Sequence, residues 1–526
     1  MIDGTPSEAG ASNQARTPTA VVLQRAVAFA AALGFILLVG QIQGALSASL
    51  AIIHFPYAIN AWSEPPLFIE LYRLAHGTAP YTPVYGADSF TYGPFYVYLL
   101  GALGRVVEVM PNVIVLRKIS IGIGLAASIP LLIALGALRR KRGGPVNRWA
   151  PFVAGAFSIA ALVLAEMRSP VFEALHPDML TIFLGLSALA CMLWYPLAGK
   201  RKTAVIVAMT VFCFLLAMTK FNLAPIALVL LAALVVEGSL TLTGAVTVAG
   251  SYLMALAVFF LFAPGPMRDW TLIVPAHHAY NPIGYEFGQF FADVTVGQPF
   301  HGVLIAGAIV YIALLERLRR GREAAMWAIV IGGTWLCGFV AYAKIGGNWN
   351  DFWILYAVCI VPLGDLVEQS LAVTAEQVLQ RTAFQAFAVL FVLLLPWSFT
   401  QGLSVKIPPD ARAVAEMDAT AKQLAALCAP GKTIVVSWFP DPLLDCPGAT
   451  FPLWDSIEEI SWARWRGYTG EMKYDTPVSP DVAVILEVKP IPMTLKGKYT
   501  ATKAITYSVG DYTSYRQNLI IKRKAE

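Results

Sequence analysis

Residues 60–98 read NAWSEPPLFIELYRLAHGTAPYTPVYGADSFTYGPFYVY and lie between an apolar segment long enough to cross a bilayer and a shorter one. This loop holds the carboxylates Glu64, Glu70 and Asp88, together with one arginine, one histidine and many aromatic side chains. The shorter apolar segment, 93–109, contains charged residues. Whether that segment crosses the bilayer decides the side on which every later loop lies, and therefore the topology of the chain.

The composition excludes an ordinary soluble protein. Of the 526 residues, 57% are hydrophobic and 13% are charged, whereas soluble domains carry about 25% charge. Apolar runs of roughly twenty residues, enough for a helix to cross about 30 Å of hydrocarbon, recur along the chain. We predict an all-α polytopic membrane protein, whose net charge of +5 reflects loop orientation and not nucleic-acid binding. The predicted spans are 25–47, 117–138, 149–166, 178–196, 203–219, 223–238, 243–263, 301–317, 324–343, 352–369 and 383–400.

Three basic clusters indicate which loops are cytoplasmic, because short loops rich in Lys and Arg are retained on that side. The clusters are 139–148, 199–202 and 317–322. All of them lie on the side of the N-terminus if 93–109 does not cross, so we predict that 93–109 is a juxtamembrane helix on the outer surface. Arg117 and Lys118, at an outer helix end, oppose this assignment. With about eleven spans, the polar segments that share the outer face are 60–91, 168–178, 220–222, 264–300 and 344–351.

The two ends of the chain differ in composition from the spans. Residues 1–24 are polar and small, which predicts a disordered cytoplasmic segment. Within 401–526, an amphipathic pattern predicts a helix at 411–428, and apolar runs predict strands at 433–437, 481–487 and 518–524. We predict a small extracytoplasmic α/β domain there, following a transmembrane domain of residues 25–400 with an outer loop at 48–116. Cys428 and Cys446 could pair in this domain if its compartment is oxidising.

Acids at the mouths of two predicted spans are candidates for chemistry. Glu64 follows the first span, before two prolines that fix the backbone direction. A partly buried carboxyl there would act as a general base, and the alternative is a solvated interfacial acid. Asp178 opens an apolar helix, either as its cap or as part of a site, and His176 could share a proton or a metal with it. Glu70 and Arg73 are spaced for an intrahelical ion pair.

Lys220 lies between two apolar segments, in the sequence TKFN, with Asn222 in the same turn. A lysine at membrane depth costs on the order of 3 kcal/mol, so it needs a partner, for which a phosphate is suitable, unless its side chain reaches the interface. Asp88 lies among aromatic residues that include Tyr92. Such residues usually anchor an interface, and they also stack on sugars.

The remaining candidates are in two later outer loops. His277 and His278 lie in the longest loop, which is long enough to act as a lid over a site. Lys344 and Asn350 flank the turn in AKIGGNWND, where two glycines would let the backbone approach a ligand closely. No zinc-type spacing of His or Cys is present in the sequence, and we predict no metal ligands.

In this order, the motifs resemble the polyprenyl-phosphate-sugar-dependent glycosyltransferases of the GT-C superfamily, whose relatives include protein O-mannosyltransferases and lipid A aminoarabinose transferases. The resemblance covers about 25–363 and consists of SEPPLFIELYRLAHGTAPY, FTYGPFYVYLL, HPDMLTIFLGLSAL, TKFN and GGNWND. It implies that Glu64 is the base on the acceptor hydroxyl, Asp178 a second acid and Lys220 the cation near the donor phosphate. The chain departs from the pattern by a lone Glu in place of Asp-Glu and by Tyr-Gly-Pro in place of Tyr-Pro-Pro.

The resemblance implies an inverting hexosyl or pentosyl transferase of the cell membrane, with its site on the extracytoplasmic face. The donor is a polyprenyl-phosphate-linked sugar, the acceptor is a glycan, lipid or protein, and a divalent cation is left open. Asp88 would help to shape the pocket, and Lys344 and one of the two histidines would help to hold the phosphate. The alternatives are a transporter or flippase of lipid-linked saccharides and a non-catalytic membrane subunit that displays the C-terminal domain.

Overall fold

The computed structural model describes residues 18–523 apart from 58, 60–63, 108–111, 144–147, 170, 372–377, 401–410, 437–442, 448, 476–479, 487–498 and 506–517. Before the C-terminal domain the helices are α1 (Pro18–Ile53), α2 (Glu64–Ala75), α3 (Pro94–Val106), α4 (Val113–Ala126), α5 (Ser128–Lys141), α6 (Ala150–Met167), α7 (Asp178–Trp194), α8 (Lys202–Ala217), α9 (Ile226–Glu237), α10 (Leu242–Phe262), α11 (Gly265–Arg268), α12 (Val274–Ala276), α13 (Ile283–Ala292), α14 (Pro299–Arg317), α15 (Gly321–Tyr342), α16 (Trp353–Leu371) and α17 (Val378–Thr400). The prediction of disorder through residue 24 is wrong at its end, because α1 already begins at Pro18. Residues 1–17 lie outside the described residues.

Eight helical stretches of the described chain are long and apolar enough to cross a membrane. Each coincides with a predicted span, and α8, α9 and α17 occupy the other predicted positions. The predicted span 117–138 consists of two helices, α4 and α5, that meet at Ala127. Pro130, in the first turn of α5, lacks the N–H that would continue the hydrogen bonding of α4. The protein is thus a multi-pass helical membrane protein, as predicted.

The segment that decides the topology forms α3. Its 13 residues extend about 20 Å, which is less than the roughly 30 Å of a hydrocarbon core. Tyr96, Val97 and Leu100 are buried on one side of the helix, whereas Arg105 and Val106 are exposed. A helix this short, with one buried side, fits a position beside the bilayer better than a span.

The basic clusters meet at one end of the helix bundle. Arg140, in the first cluster, lies over the ring of Trp194 at the end of α7, and the second cluster follows that helix directly. Lys141, also in the first cluster, forms an ion pair with Glu237, the last residue of α9. Arg322 of the third cluster lies beside Gly238, the next residue after Glu237. The three clusters therefore share one end of the bundle, as the charge pattern predicts.

The C-terminal domain contains α18 (Ala411–Ala425), α19 (Trp454–Arg464) and the strands β1 (Ile434–Val436), β2 (Ala449–Thr450), β3 (Val482–Leu486), β4 (Tyr499–Ile505) and β5 (Asn518–Arg523). The strand order is β2-β1-β3-β5-β4, with β1 parallel to β2 and β3, and β5 antiparallel to β3 and β4. The predicted strands are β1, β3 and β5. The strands β2 and β4 were not predicted, because β2 has only two residues and β4, YTATKAI, contains no apolar run. Cys428 and Cys446 form a disulfide.

The C-terminal domain packs on the loop that precedes α3. Leu453 N–H donates to the Ala87 carbonyl at 2.9 Å, and the Ser456 hydroxyl donates to the Ser89 carbonyl at 2.6 Å. This contact lies at the end of the bundle where α7 begins, whereas the basic clusters lie where α7 ends. The two ends of the bundle thus differ: one is basic, and the other carries the long loops and the C-terminal domain.

Candidate functional site

Lys220 and Asp178 form the centre of a polar cluster at the end of the bundle opposite to the basic loops. Lys220 Nζ lies 2.6 Å from Asp178 Oδ1 and 3.7 Å from Asp351 Oδ1. Asn350 Nδ2 donates to Asp178 Oδ2 at 3.0 Å. The side chains of Asp178 and Lys220 are only 1% and 7% exposed. The fold therefore brings together predicted site residues from three separate loops and adds Asp351.

The local sequence explains how each of these side chains is placed. Asp178 is the first residue of α7, where a carboxylate is favoured by the helix dipole. Lys220 adopts an extended conformation between the end of α8 and the short helical turn Phe221–Leu223. Asn348 caps the turn Trp349–Phe352 in a capping box with Asp351. The capping box fixes the direction of Asp351 before a ligand arrives.

The surroundings of Lys220 keep it charged. Burial alone would lower the pKa of Lys220, but the carboxylates of Asp178 and Asp351 raise it above its ordinary value. The pKa of His176 is lowered by burial, which outweighs the opposing effect of Asp178. A neutral His176 can donate from Nδ1 to Asp178 Oδ2, 3.0 Å away, and accept at Nε2 from the Tyr92 hydroxyl, 2.6 Å away.

Gly93 docks the Tyr92 segment onto the loop that carries Lys220. Its N–H donates to the Thr219 carbonyl at 3.0 Å. A Cβ at this position would lie 2.0 Å from the Met218 carbonyl oxygen, so no other residue type fits without a shift of the backbone. The departure from Tyr-Pro-Pro noted in the sequence therefore has a packing reason, and it places the Tyr92 ring 5.5 Å from Lys220 Nζ.

A narrow cavity lies beside Lys220; its empty space amounts to about 180 Å³ and is too constricted to hold a water molecule in this structure. Polar and apolar residues both line it: Asp178, Thr181, Lys220, Asn222, Leu223, Asn350, Asp351, Trp353 and Ile354. Both oxygens of Asp178 are engaged by close partners, whereas Asp351 receives only a 3.4 Å contact from Asn348 N–H besides the more distant Lys220. Of the two carboxylates on this cavity, Asp351 is the more available to a ligand.

Glu64 lies in a different, closed environment. Its carboxylate accepts from Arg117 Nε at 2.7 Å and Arg117 Nη2 at 2.8 Å, and both side chains are 0% exposed. The N–H groups of Ile59 and Leu175 donate to the same carboxylate at 2.6 and 2.9 Å. Leu175 is three residues from Asp178 in the sequence, but the partners of Glu64 are Arg117 and backbone N–H groups, and Glu64 is not part of the cluster. This pairing also explains the position of Arg117, which opposed the predicted topology.

Asp88 and Glu70 do not join the cluster around Lys220. Arg73 Nη2 donates to Asp88 Oδ2 at 2.6 Å, and both residues line a separate groove between this loop and the C-terminal domain. The predicted pair of Glu70 and Arg73 is not formed, because Glu70 Oε1 instead accepts the N–H of Phe90 at 2.9 Å. Burial raises the pKa of Glu70 to about 8. In the folded loop, Glu70 is therefore neutral near pH 7.

The histidine pair and Lys344 also lie apart from Lys220. His277 Nδ1 is 2.8 Å from the carbonyl of Ile273. His278 Nε2 lies 2.7 Å from Glu459 Oε2 in the C-terminal domain, and Lys344 acts electrostatically on the same carboxylate. The glycines of the AKIGGNWND turn approach protein and not a ligand: a Cβ on residue 347 would lie 2.3 Å from a carbonyl oxygen of α15. This part of the predicted site is a domain contact.

Among the described residues, no group of three or more His, Cys, Asp or Glu side chains could hold a metal ion. At the centre of the cluster, the Lys220 ammonium supplies the positive charge between Asp178 and Asp351. Sequence reasoning had left out Asp351, Trp353 and Arg117 as site residues. A signal for the first two exists in the sequence, since both follow the predicted Asn350 within NWNDFW. The contact of Arg117 with Glu64 has none.

No protein-family model and no curated protein matches the sequence. Among solved structures, the chain is similar to ArnT from Cupriavidus metallidurans bound to undecaprenyl phosphate, with 14% identity and a TM-score of 0.49 over 91% of this chain and 97% of that chain. It is also similar to the Archaeoglobus fulgidus oligosaccharyltransferase in complex with Zn and sulfate, with 16% identity and a TM-score of 0.41 over 81% of this chain and 61% of that chain. For AglB from the same archaeon, in complex with an inhibitory peptide and a dolichol-phosphate, the identity is 15% and the TM-score 0.39, over 81% and 63%.

ArnT and AglB are members of the GT-C superfamily, which the sequence motifs also resemble.

Proposed function

We propose that this protein is a membrane glycosyltransferase that moves a sugar from a polyprenyl-phosphate donor to a hydroxyl group of an acceptor. The observation that carries the proposal is the buried Lys220 ammonium on a small cavity, with Asp178 on one side and Asp351 on the other. The cavity lies at the end of the bundle opposite to the basic loops, which the positive-inside rule assigns to the cytoplasm. The disulfide of Cys428 and Cys446 fits an oxidising, extracytoplasmic compartment at the site end.

Lys220 would bind the donor phosphate. An ammonium has three donors, and one of them is directed at Asp178 at 2.6 Å. The remaining donors can stabilise the negative charge that develops on the phosphate as the sugar leaves, and such preorganised charge stabilisation is a large contribution to catalysis. Asp178, held by Asn350 and His176, would keep Lys220 charged and in place.

Asp351 would act as the general base. In the proposed step the acceptor hydroxyl oxygen attacks the anomeric carbon, and its proton passes to the Asp351 carboxylate. The bond between the anomeric carbon and the phosphate oxygen breaks, and the polyprenyl phosphate leaves with the electron pair next to Lys220. Attack from the face opposite to the phosphate inverts the configuration of the sugar.

In this proposal Glu64 has a structural role, in contrast to the base role that the family resemblance implies. A base must lie within about 2.6–3.2 Å of the proton that it accepts. The Glu64 carboxylate already accepts four hydrogen bonds from Arg117 and two backbone N–H groups. Release of Arg117 would be required before Glu64 could reach an acceptor.

The test compares Asp351→Asn with Glu64→Gln in purified protein reconstituted in liposomes that contain a membrane extract as acceptor source. The measured quantity is release of polyprenyl phosphate from labelled polyprenyl-phosphate hexose and pentose donors. We expect Asp351→Asn to slow release by about 10²–10⁴-fold and Glu64→Gln to leave release per folded molecule nearly unchanged. The matched control is Asp293→Asn. The Asp293 carboxylate accepts a hydrogen bond from the Tyr342 hydroxyl and does not line the cavity.

The reverse result, in which Glu64→Gln is inactive and Asp351→Asn is active, would return the base role to Glu64. Absence of release by the unmodified protein with every donor would contradict the proposed function.

A further inference from the structure

The short helix α13 (Ile283–Ala292) has a row of apolar residues on its outside. Ile283 is 71% exposed, Phe287 45% and Phe291 49%, and their spacing of four residues puts them in one row along the helix. Glu286, the single charged residue of this helix, is instead buried. A helix that faces water has the opposite arrangement, so the row indicates apolar surroundings.

The acids of this segment are satisfied on the inner side of the helix. The Glu286 carboxylate accepts a hydrogen bond from Asn281 Nδ2 at 2.7 Å. Asp293, the residue after α13, accepts a hydrogen bond from the Tyr342 hydroxyl at 2.6 Å. Because both carboxylates have protein partners, neither requires water on the outer side of the helix.

The contact of α13 with α15 sets the depth of α13. The helix α15 is long and apolar enough to cross the membrane, and it ends at Tyr342. The ring centroids of Phe287 and Phe290 lie 6.2 and 5.9 Å from that of Trp335. Trp335 precedes the end of α15 by about two turns, which is about 10 Å along the helix axis. The helix α13 therefore packs against the side of a membrane span and not on top of it.

The surface of α15 next to this contact is exposed and apolar. Leu336 and Val340, which follow Trp335 and Phe339 directly, are exposed on this span. The ring of Phe287 also lies 6.2 Å from that of Phe339, so the row on α13 continues the exposed surface of α15. A contiguous apolar surface marks contact with a membrane or with another protein. Because this surface continues that of a membrane span, the membrane is the partner that fits.

We infer that α13 is inserted in the membrane leaflet at the site end of the bundle, where the acyl chains of the bilayer lipids cover Ile283, Phe287 and Phe291. Helices that lie in the interface bury their apolar side about 5–10 Å into the boundary between headgroups and acyl chains. The segment 264–300, predicted as a polar segment of the outer face, thus contains a helix that enters the membrane.

The inserted helix separates lipid from the turn that holds the proposed base. The ring of Phe290, on the inner side of α13, lies 4.7 Å from that of Phe352, the residue after Asp351. Lipid on one side of α13 and the site turn on the other would fix the depth of that turn relative to the headgroups. The lipid contact requires only that the protein lies in a membrane, and it does not depend on the proposed activity.

The experiment places a nitroxide label on introduced cysteines in the full-length protein, in nanodiscs of phosphatidylethanolamine and phosphatidylglycerol without polyprenyl lipid. Ile283→Cys and Phe291→Cys report on the row. Gln289→Cys is the matched control, because Gln289 is also exposed on α13 but lies on a different side of the helix from Phe291, two residues away. The measured quantities are the collision rates of each label with oxygen, which concentrates in hydrocarbon, and with a nickel chelate, which stays in water. Protein without an introduced cysteine gives the background from the native thiols.

We expect the labels at 283 and 291 to collide mainly with oxygen and to report a depth of about 5–10 Å. The label at 289 should collide more often with the nickel chelate. Addition of polyprenyl phosphate should leave the depth of all three labels unchanged, because bilayer lipids already cover the row. Thermal unfolding of each variant confirms that the protein is folded before the labels are compared, and the two positions of the row test the same surface independently.

Equal access of the nickel chelate to all three labels would place α13 in water and overturn the inference. Low access of both reagents to the labels at 283 and 291 would mean that protein covers the row, which would also overturn it; broadening of the spectra by a second nitroxide would identify that protein as a second copy of the chain. Labels that enter hydrocarbon only after polyprenyl phosphate is added would assign the row to that ligand and exclude the bilayer lipids.

Discussion

Two buried ion pairs lie at the same end of this molecule, and they differ in how completely they are satisfied. The Glu64–Arg117 pair, here called the closed pair, is 0% exposed on both sides, and Arg117 also donates to the carbonyls of Phe55 and Tyr57. The Asp178–Lys220 pair, here called the open pair, lines a cavity. Both pairs join segments that are far apart in the sequence.

This difference indicates that the closed pair stabilises the structure and that the open pair is the one suited to bind a ligand. In the closed pair, each donor and acceptor has a partner within the protein, so a substrate could enter only by displacing one of them. In the open pair, Lys220 has donors to spare, and unpartnered polar groups lie next to it among the described residues. A buried charge is costly unless its interactions are completed, and the open pair leaves that completion to the substrate.

The largest expected effect is on the open pair. Lys220→Met removes the charge that would stabilise the leaving phosphate, so turnover should fall by about 10²–10³-fold. Lys344→Met, at a lysine that acts on Glu459 of the C-terminal domain, should change turnover by less than about fivefold, because its charge is not part of the cluster around Lys220 and contributes nothing to stabilising the leaving phosphate. Turnover is measured per folded molecule with labelled donor. Similar losses in both variants would remove the distinction between these lysines.

The next effect concerns the closed pair and is on stability. Arg117→Met leaves Glu64 buried without its partner, which should cost about 3–5 kcal/mol of unfolding free energy. Glu64→Gln in the same chain should restore part of this loss, because the unpaired charge is gone. Denaturation in detergent micelles measures both. If Arg117→Met leaves the stability unchanged but stops turnover, the closed pair belongs to the chemistry.

A smaller effect is expected on the pH dependence of stability, and it comes from Glu70, a buried carboxyl that belongs to neither ion pair. Its folded-state pKa, raised by burial to about 8 from 4.5, means that the folded protein holds this proton more tightly than the unfolded chain. The resulting stability is present at pH below the unfolded pKa and is lost as pH rises through about 8. Thermal unfolding should therefore occur at lower temperature at pH 9 than at pH 6. Glu70→Gln should flatten this slope, and an unchanged slope would contradict the assignment.

The smallest expected effect is that of cysteine substitutions that report on which side of the membrane each end of the bundle lies. These substitutions should leave turnover unaffected. His76 is exposed at the site end, and Lys200 is exposed at the basic end. In intact cells, a membrane-impermeant thiol reagent should label His76→Cys and not Lys200→Cys. Labelling in the opposite pattern would place the cavity on the cytoplasmic side.

Much of the architecture was predictable because the bilayer restricts it. Apolar runs of the required length located the helices, and the basic clusters 139–148, 199–202 and 317–322 indicated the common end on which they lie. Asp178, Lys220 and Asn350 were each predicted as site residues on the outer face, and the structure brings them together; that Asp178 would be the partner of Lys220 was not predicted. Asp88, His277, His278 and Lys344 were anticipated as site residues as well, but they lie in other contacts.

By itself, the sequence determined that this is a multi-pass helical membrane protein with its polar loops gathered at the end away from its basic clusters, because hydrocarbon and loop charge act on local composition. Only the tertiary structure decided that Glu64 is enclosed by Arg117 while Lys220 lines a narrow cavity. The roles of these charges depend on which partners reach them, and those partners come from distant segments whose meeting no local pattern records.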